Sequence, residues 1–283
     1  VRAIACTVDQ KSITAIRQYT VVEENVAFYV SKNGDDSNDG SYEAPFLTIS
    51  NAINRAKIIS PAIVLVAEGV YNEQVRVAPG IQLQGSFSTD FTIQDGSSSL
   101  THIEYTATTE GTADSPEAAL IVEPYVTNSY LILGLKISIT TDLPSGYYAA
   151  VMFDTASPIF AFNQIAATIN GASATGYGIY IKNSSSSYIL GNYINITGGT
   201  DLTGIYISGS DSEKKLRSNT INVLAASGNT SGITILNNSN CEIRNNVIHG
   251  GLGNSSFGIV INTSSVGIYN NTINAGSASS ISY

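Results

Sequence analysis

The chain has 283 residues, enough for one large or two ordinary domains. Charged residues make up 12% of it, about half of the usual quarter, and the formal net charge is −9. Nucleic acids and anionic membranes bind clustered Lys and Arg, so this composition argues against both as partners. The longest apolar stretch, residues 58–70, is interrupted by Ser60-Pro61 and Glu68-Gly69, and no transmembrane segment is predicted.

Turn-forming and β-branched residues dominate the composition, which predicts an all-β chain with many short strands. Few charges, many hydroxyl and amide side chains and only two cysteines suit an exported protein. Residues 1–25 are an N-terminal segment to which the sequence assigns no role. The stretch that ends at Cys6 weakly resembles a lipoprotein processing site, although an ordinary strand cysteine is the preferred interpretation.

Residues 26–62 hold a dense motif that predicts an opening strand, a loop and a helix. It reads FYVSKNGDDSNDGS at 28–41 and APFLTI at 44–49, and GVYNE follows at 69–73. This pattern resembles the opening of the DUF1565 family, in the pectin-lyase-like superfamily of right-handed parallel β-helices. The resemblance extends over about residues 26–283. It implies a fold and not a reaction, since similar openings occur in polysaccharide lyases and in proteins with no known activity.

In this family a short helix caps the open end of the β-helix, and residues 48–59 fit that role. Ile49, Ala52, Ile53, Ala56 and Ile59 share one face at helical spacing. A cap matters because an uncovered first coil would present an edge that promotes aggregation.

The loop before this helix spaces oxygen-bearing side chains at alternate positions, as calcium loops do. The candidate ligands are Asp35, Ser37 and Asp39. The twelfth position from Asp35 is Phe46, where a calcium loop has a bidentate Glu. A solvated turn rich in Asp and Asn is therefore the preferred interpretation. No cofactor is predicted, and Ca²⁺ is the alternative.

Two motifs recur through residues 63–283 and predict a solenoid. The first is Asn, any residue and Ile, at steps of 29, 27, 27 and 25 residues, and the second is Gly-Ile-x-aliphatic. Within each unit apolar residues alternate, which is the period of a strand. Such short strands are stable only when coils stack about 4.8 Å apart. With the resemblance, the predicted fold is an all-β, right-handed parallel β-helix, a three-sheet solenoid with a short N-terminal capping helix.

The repeated asparagines are interpreted as structural. We expect them at a sharp corner that requires a positive φ, which Asn tolerates best among the non-glycine residues. Stacked in register, their amides would bond to one another up the column. The predicted ladder consists of Asn163, Asn192, Asn219, Asn246 and Asn271.

In the superfamily, polysaccharides usually lie across the sheet that carries the Gly-Ile strands. The repeat places Tyr177, Tyr180 and Tyr206 on the outward face of adjacent coils, with Phe257 further along. Tyrosine rings stack on sugars and their hydroxyls bond sugar hydroxyls, so these four residues are the predicted carbohydrate-binding site. The alternative is that tyrosines simply cover a sheet face in a chain that has 16 of them.

A polysaccharide lyase or glycoside hydrolase that acts on an acidic polysaccharide is the enzymatic alternative. A lyase needs acidic Ca²⁺ ligands and a basic residue, and a hydrolase needs two carboxylates about 5–10 Å apart. The candidates are Asp154 and Lys182 on the sheet, with Asp142 and Asp201 in loops that lead into it. A surface ion pair between Asp154 and Lys182 is the preferred interpretation. His102 has no partner that the sequence reveals.

The first hypothesis is therefore an exported protein, extracellular or at a cell envelope, that binds a polysaccharide or cell-surface glycan. The second is the enzyme described above, and the third is a structural spacer or adhesin. Ile281-Ser282-Tyr283 has the pattern of one further strand, from which we expect the chain to continue. The sequence predicts no oligomeric state.

Overall fold

The computed structural model describes residues 27–94, 101–183, 186–209, 213–237 and 239–282. Cys6 and the interpretation of it as a processing site lie outside these ranges. The described residues form three parallel sheets, so the predicted right-handed parallel β-helix is confirmed. Each coil contributes one strand to sheet A, then one to sheet B and one to sheet C.

The strands are best given sheet by sheet. Sheet A contains β1 (Ala27–Val30), β2 (Ala62–Ala67), β5 (Ile81–Phe87), β8 (Leu131–Leu133), β11 (Ile159–Ala161), β14 (Tyr188–Leu190), β17 (Glu213–Arg217), β20 (Asn240–Arg244) and β23 (Ser265–Tyr269). Sheet B contains β3 (Gly69–Asn72), β6 (Thr101–Thr106), β9 (Leu135–Thr141), β12 (Gln164–Ile169), β15 (Tyr193–Gly198), β18 (Thr220–Val223), β21 (Val247–His249) and β24 (Thr272–Asn274). Sheet C contains β4 (Val75–Val77), β7 (Glu117–Val122), β10 (Ser145–Asp154), β13 (Ser173–Lys182), β16 (Asp201–Ser208), β19 (Asn229–Leu236), β22 (Leu252–Ile261) and β25 (Ser277–Ser282).

The core is a set of aliphatic columns inside the coils. Ile179, Ile205 and Ile233 are register partners on β13, β16 and β19, and all three are fully buried. Stacking identical side chains buries one continuous apolar interior, which no single coil provides.

The glycine of each Gly-Ile motif is required by close packing between sheets. A Cβ at Gly204 would collide with the side chain of Ile221 on sheet B and with the backbone of Gly232 on the next coil. The glycine of the motif therefore lies at an inward position that has no room for a side chain.

Helix α1 (Ile49–Ile59) is the one helix among the described residues, and at 11 residues it is too short to span a membrane. Thr48 caps its first turn by accepting from the backbone N–H of Asn51 at 3.3 Å. The Glu73 carboxylate accepts from the N–H groups of Ile49 and Ser50, both at 2.9 Å. A negative charge at a helix N-terminus also stabilises the helix by its favourable interaction with the helix dipole.

The helix covers the first coil with the face formed by Ile49, Ala52, Ile53 and Ala56, all of which are buried. The expectation that Ile59 belongs to this face was wrong, because its side chain is 46% exposed. Ile59 is the last helical residue, and the chain turns directly into β2, so it lies at the rim of the covered coil.

The repeated asparagines form a ladder at the corner between sheets A and B. Asn163 donates from its backbone N and from Nδ2 to Oδ1 of Asn192, at 3.0 and 3.1 Å. The second Nδ2 proton goes to the carbonyl of Ile132 on the preceding coil at 3.2 Å, so one amide ties three coils together. The same arrangement continues through Asn192, Asn219, Asn246 and Asn271.

The left-handed conformation at this corner falls on the residue before each asparagine, contrary to the expectation. The φ angles are 54° at Phe162, 64° at Gly191, 55° at Ser218, 57° at Asn245 and 52° at Asn270. In Asn192, for example, the backbone N–H and the side-chain amide both donate to the same oxygen of Asn219 on the next coil. The positive φ therefore falls on the residue before the asparagine.

Candidate functional site

The outward face of sheet C presents two parallel columns in the predicted register. The first column is Met152, Tyr180, Tyr206, Thr234 and Val260. The second column is Ala149, Tyr177, Thr203, Ser231 and Phe257. The three tyrosines therefore meet on adjacent coils.

The tyrosine rings pack tightly against one another. The rings of Tyr180 and Tyr206 are stacked, with centroids 5.1 Å apart and 8° between their planes. Tyr177 meets them at 5.2 Å with interplanar angles of 62° and 53°. These contacts hold the rings in fixed positions, and they add stability beyond the area they bury.

Two of the three tyrosines are buried, contrary to the expectation of an open platform. Tyr177 is 7% exposed and Tyr180 is 3% exposed, whereas Tyr206 remains partly exposed. Burial raises the pKa of Tyr180 to about 12, with Tyr206 adding to the effect, and burial also raises the pKa of Tyr177. Both phenols stay neutral over the usual pH range.

The cover is the segment 107–116, between β6 and β7, which we call the strap. The Tyr180 hydroxyl donates to the carbonyl of Ala113 at 2.8 Å, and Lys182 Nζ donates to the carbonyl of Asp114 at 3.0 Å. The backbone N–H of Tyr147 donates to the carbonyl of Gly111 at 3.2 Å. Because the strap lies over the earlier coils, Tyr206 is the one of the three tyrosines that stays partly exposed.

Beyond Tyr206 the outward side chains become small. Thr203 lies on the same strand as Tyr206, Ser231 and Thr234 are their partners on the next coil, and the partly exposed Phe257 lies one coil further on. Thr234 Oγ1 donates to Ser231 Oγ at 3.0 Å. We call this set of five residues the Tyr206 groove.

The expected ion pair between Asp154 and Lys182 is replaced by other contacts. The two residues are register partners, but the Lys182 ammonium bonds the strap, and Asp154 Oδ1 accepts from Thr155 Oγ1 at 3.1 Å. Lys182 thus anchors the strap over the tyrosine cluster.

Of the four candidate catalytic residues, all described, Asp154 and Lys182 are neighbours at one end of the sheet C strands, whereas Asp142 and Asp201 lie at the opposite end. Asp201 pairs with Thr175, seven residues before Lys182 on β13, which is about 20 Å along a strand. Asp142 precedes β10, and Asp154 is the last residue of that strand. Carboxylates at opposite ends of a strand exceed the spacing that glycoside hydrolysis requires.

Asp142 and Asp201 instead join neighbouring coils. Asp142 Oδ1 accepts from Asn170 Nδ2, and Asp201 Oδ1 accepts from the backbone N–H of Asn229, both at 2.7 Å.

In the candidate calcium loop, one carboxylate oxygen of Asp35 and one of Asp39 accept hydrogen bonds from within the loop. Asp35 Oδ1 accepts from the backbone N and the hydroxyl of Ser37 at 2.8 and 2.7 Å, and Asp39 Oδ1 accepts from Ser41 N at 2.9 Å. These hydrogen bonds lower the pKa of both carboxyls. Within the described part of the chain, no three His, Cys, Asp or Glu residues come together as metal ligands would.

His102 has a partner that the sequence did not reveal. Its Nε2 lies 2.7 Å from Ser138 Oγ on the neighbouring strand of sheet B. The strap lengthens this coil, so that the register partner of His102 is Lys136, 34 residues later. His102 and Ser138 are 36 residues apart, more than the repeat steps of 25 to 29 residues, so the repeat did not predict this contact.

The three sheets and their ladder define a parallel β-helix protein. The family described as "Protein of unknown function (DUF1565)" matches residues 32–282, and the chain belongs to this family.

Two solved structures are similar in fold. The pectin methylesterase from Aspergillus niger has a TM-score of 0.46 and 15% identity over 93% of this chain and 88% of that chain. The pectin methylesterase PemA from Erwinia chrysanthemi has a TM-score of 0.42 and 10% identity over 84% of this chain and 89% of that chain. A comparison with curated proteins gave no match.

Proposed function

We propose that this protein is exported and binds carbohydrate at a cell envelope, through the Tyr206 groove on the outward face of sheet C. The observation that supports this is the packing and exposure of the Tyr206 ring. Its ring is stacked on Tyr180 and stays partly exposed, and the next residue of its column is the small Thr234.

A ring held in this way is suited to stacking on a sugar. Tyr206 is already immobilised by Tyr180 and Tyr177, so binding costs little further side-chain entropy. The Thr203 and Thr234 hydroxyls stand beside it and match the hydrogen-bonding groups of a sugar.

The size of the groove sets the size of the ligand. The strands of Tyr206 and Phe257 are two coil steps apart, or about 10 Å, which accommodates one or two sugar units. A shallow site of this kind binds weakly, with Kd on the order of 0.1–1 mM. The net charge of −9 opposes an acidic glycan, and Lys182, a cation of the next outward column, stands beside Asp154 in register. We therefore infer a neutral glycan as ligand.

The proposal is tested by screening neutral glycans on an array and measuring the hits by calorimetry. Tyr206→Ala should weaken binding at least tenfold. Tyr193→Ala is the matched control, because Tyr193 is also an exposed tyrosine but lies on sheet B. Equal binding by the Tyr206 variant and the wild type would contradict the groove, and an array without hits would favour the structural spacer.

A further inference from the structure

A second set of reactive side chains lies on the outward face of sheet B, away from the groove. His102 on β6 and Ser138 on β9 share a hydrogen bond of 2.7 Å between Nε2 and Oγ. Both side chains are held by paired strands on either side, so their separation is set by a rigid sheet. A hydroxyl this close to an imidazole is the arrangement that activates a serine.

The surroundings keep the imidazole neutral, as a proton acceptor must be. Partial burial and the neighbouring Lys136 lower the pKa of His102, and Glu104 on the same strand acts in the opposite direction. On the other side, β3 places the uncharged Val70 beside His102. At neutral pH the ring is then free to take the serine proton.

The neighbours of Ser138 on the two adjacent coils indicate where a substrate would lie. On the following coil its register partner is Ala166, one of the smallest side chains, and on the preceding coil it is Glu104. Glu104 also lines an open cavity of about 430 Å³ together with Asn72 and Tyr105. In the proposal below we expect the acyl group on the side of Ala166 and the rest of the substrate on the side of this cavity.

We propose that Ser138 and His102 form a nucleophile and base that hydrolyse carboxylic esters carrying a small acyl group. Ser138 Oγ attacks the carbonyl carbon while its proton passes to His102 Nε2. The ester C–O bond then breaks, and the alcohol leaves with that proton. Water, deprotonated by the same nitrogen, attacks the acyl-serine, releasing the carboxylic acid and returning the hydroxyl proton to Ser138.

The negative charge that develops on the carbonyl oxygen has a cation nearby. Lys136 precedes Ser138 by two residues on β9, and both point outward. On the next coil the partner of Lys136 is Gln164, whose amide adds a donor on the same face. In this proposal Lys136 and Gln164 stabilise the charge that develops on the carbonyl oxygen.

The test uses a fluorophosphonate probe, with mass spectrometry to locate the label, and p-nitrophenyl acetate as substrate. We expect label on Ser138 and none in Ser138→Ala. His102→Gln keeps a hydrogen-bonding group but removes the base, so labelling and turnover should fall by about 100-fold. The wild-type rate should reach half its maximum below about pH 6.5.

Thr220→Ala is the matched control, because Thr220 lies on the same face of sheet B three strands beyond β9 and should leave both rates unchanged. Two results would overturn the proposal. One is turnover of p-nitrophenyl acetate that is equal in the wild type and Ser138→Ala. The other is wild-type labelling in a folded His102→Gln variant, which would make the hydrogen bond merely structural.

Discussion

The ring of Tyr206 lies parallel to the ring of Tyr180, 5.1 Å away between centroids. This contact between neighbouring coils joins a residue that the strap buries to one that it leaves partly exposed. On the same strand the adjacent Ile205 points into the core, so one residue packs in the interior and the next lies on the outward face.

Ile205 and Tyr206 should therefore respond very differently to truncation. Ile205→Ala opens a cavity between Ile179 and Ile233 and should lower the free energy of unfolding by about 2–5 kcal/mol. Tyr206→Ala removes a partly exposed side chain and should cost less. Urea denaturation measures both. A larger loss for the Tyr206 variant would place the strand one residue out of register.

The asparagine ladder should make Asn219 one of the most sensitive polar positions. Its Oδ1 accepts both donors of Asn192, and its Nδ2 donates to the carbonyl of Ile189. Asn219→Ala leaves these buried groups without partners and should cost on the order of 3 kcal/mol. Asn222→Ala, at an outward position of β18, the strand that follows Asn219, is the control and should cost far less. Similar denaturation midpoints for the two variants would show that the ladder contributes little.

Cys241 should be unreactive in the folded protein. It is buried, and burial raises the pKa of its thiol to about 12. At pH 8 almost no thiolate forms and the reagent has no access, so a disulfide reagent should label it only after denaturation. The assay uses Cys6→Ser, which leaves one thiol. Stoichiometric labelling of that variant without denaturant would be incompatible with the buried position.

His102 should make the fold weaker in mild acid. An unfolded histidine has a pKa of about 6.5, and the folded environment lowers the pKa of His102. Between these two values the unfolded chain binds more protons, so stability falls as the pH falls below about 6.5. Urea midpoints at neutral and mildly acidic pH should drop more for the wild type than for His102→Gln. An equal or smaller drop for the wild type would contradict the lowered pKa.

The strap should control the ionisation of the tyrosine cluster. Replacing residues 112–115 with two glycines removes the carbonyl of Ala113 from the Tyr180 hydroxyl and opens the ring to water. The pKa of Tyr180, raised to about 12 by burial, should then move toward its ordinary value of about 10. Absorbance titration of the phenols measures this shift, with Tyr180→Phe identifying the signal. A titration unchanged by the loop replacement would mean that the strap does not cover Tyr180 in solution.

The sequence alone determined the coils and their stacking. The alternation around Ile179 and Ile205 and the recurrence of Asn192 and Asn219 are local patterns, repeated in nearly constant steps. Each coil packs only on its neighbours, so the repeat predicts which residues of adjacent coils are paired. The outward columns of sheet C therefore follow from the sequence.

Only the tertiary structure decided which outward residues are accessible and which come together. The strap reaches Tyr180 and Lys182 across separations of 67 and 68 residues, and no periodic signal encodes such contacts. The same insertion moved His102 and Ser138 out of the repeat step while stacking brought them within 2.7 Å. A repeat predicts contacts between equivalent positions, whereas an insertion makes contacts that depend on its own path over the surface.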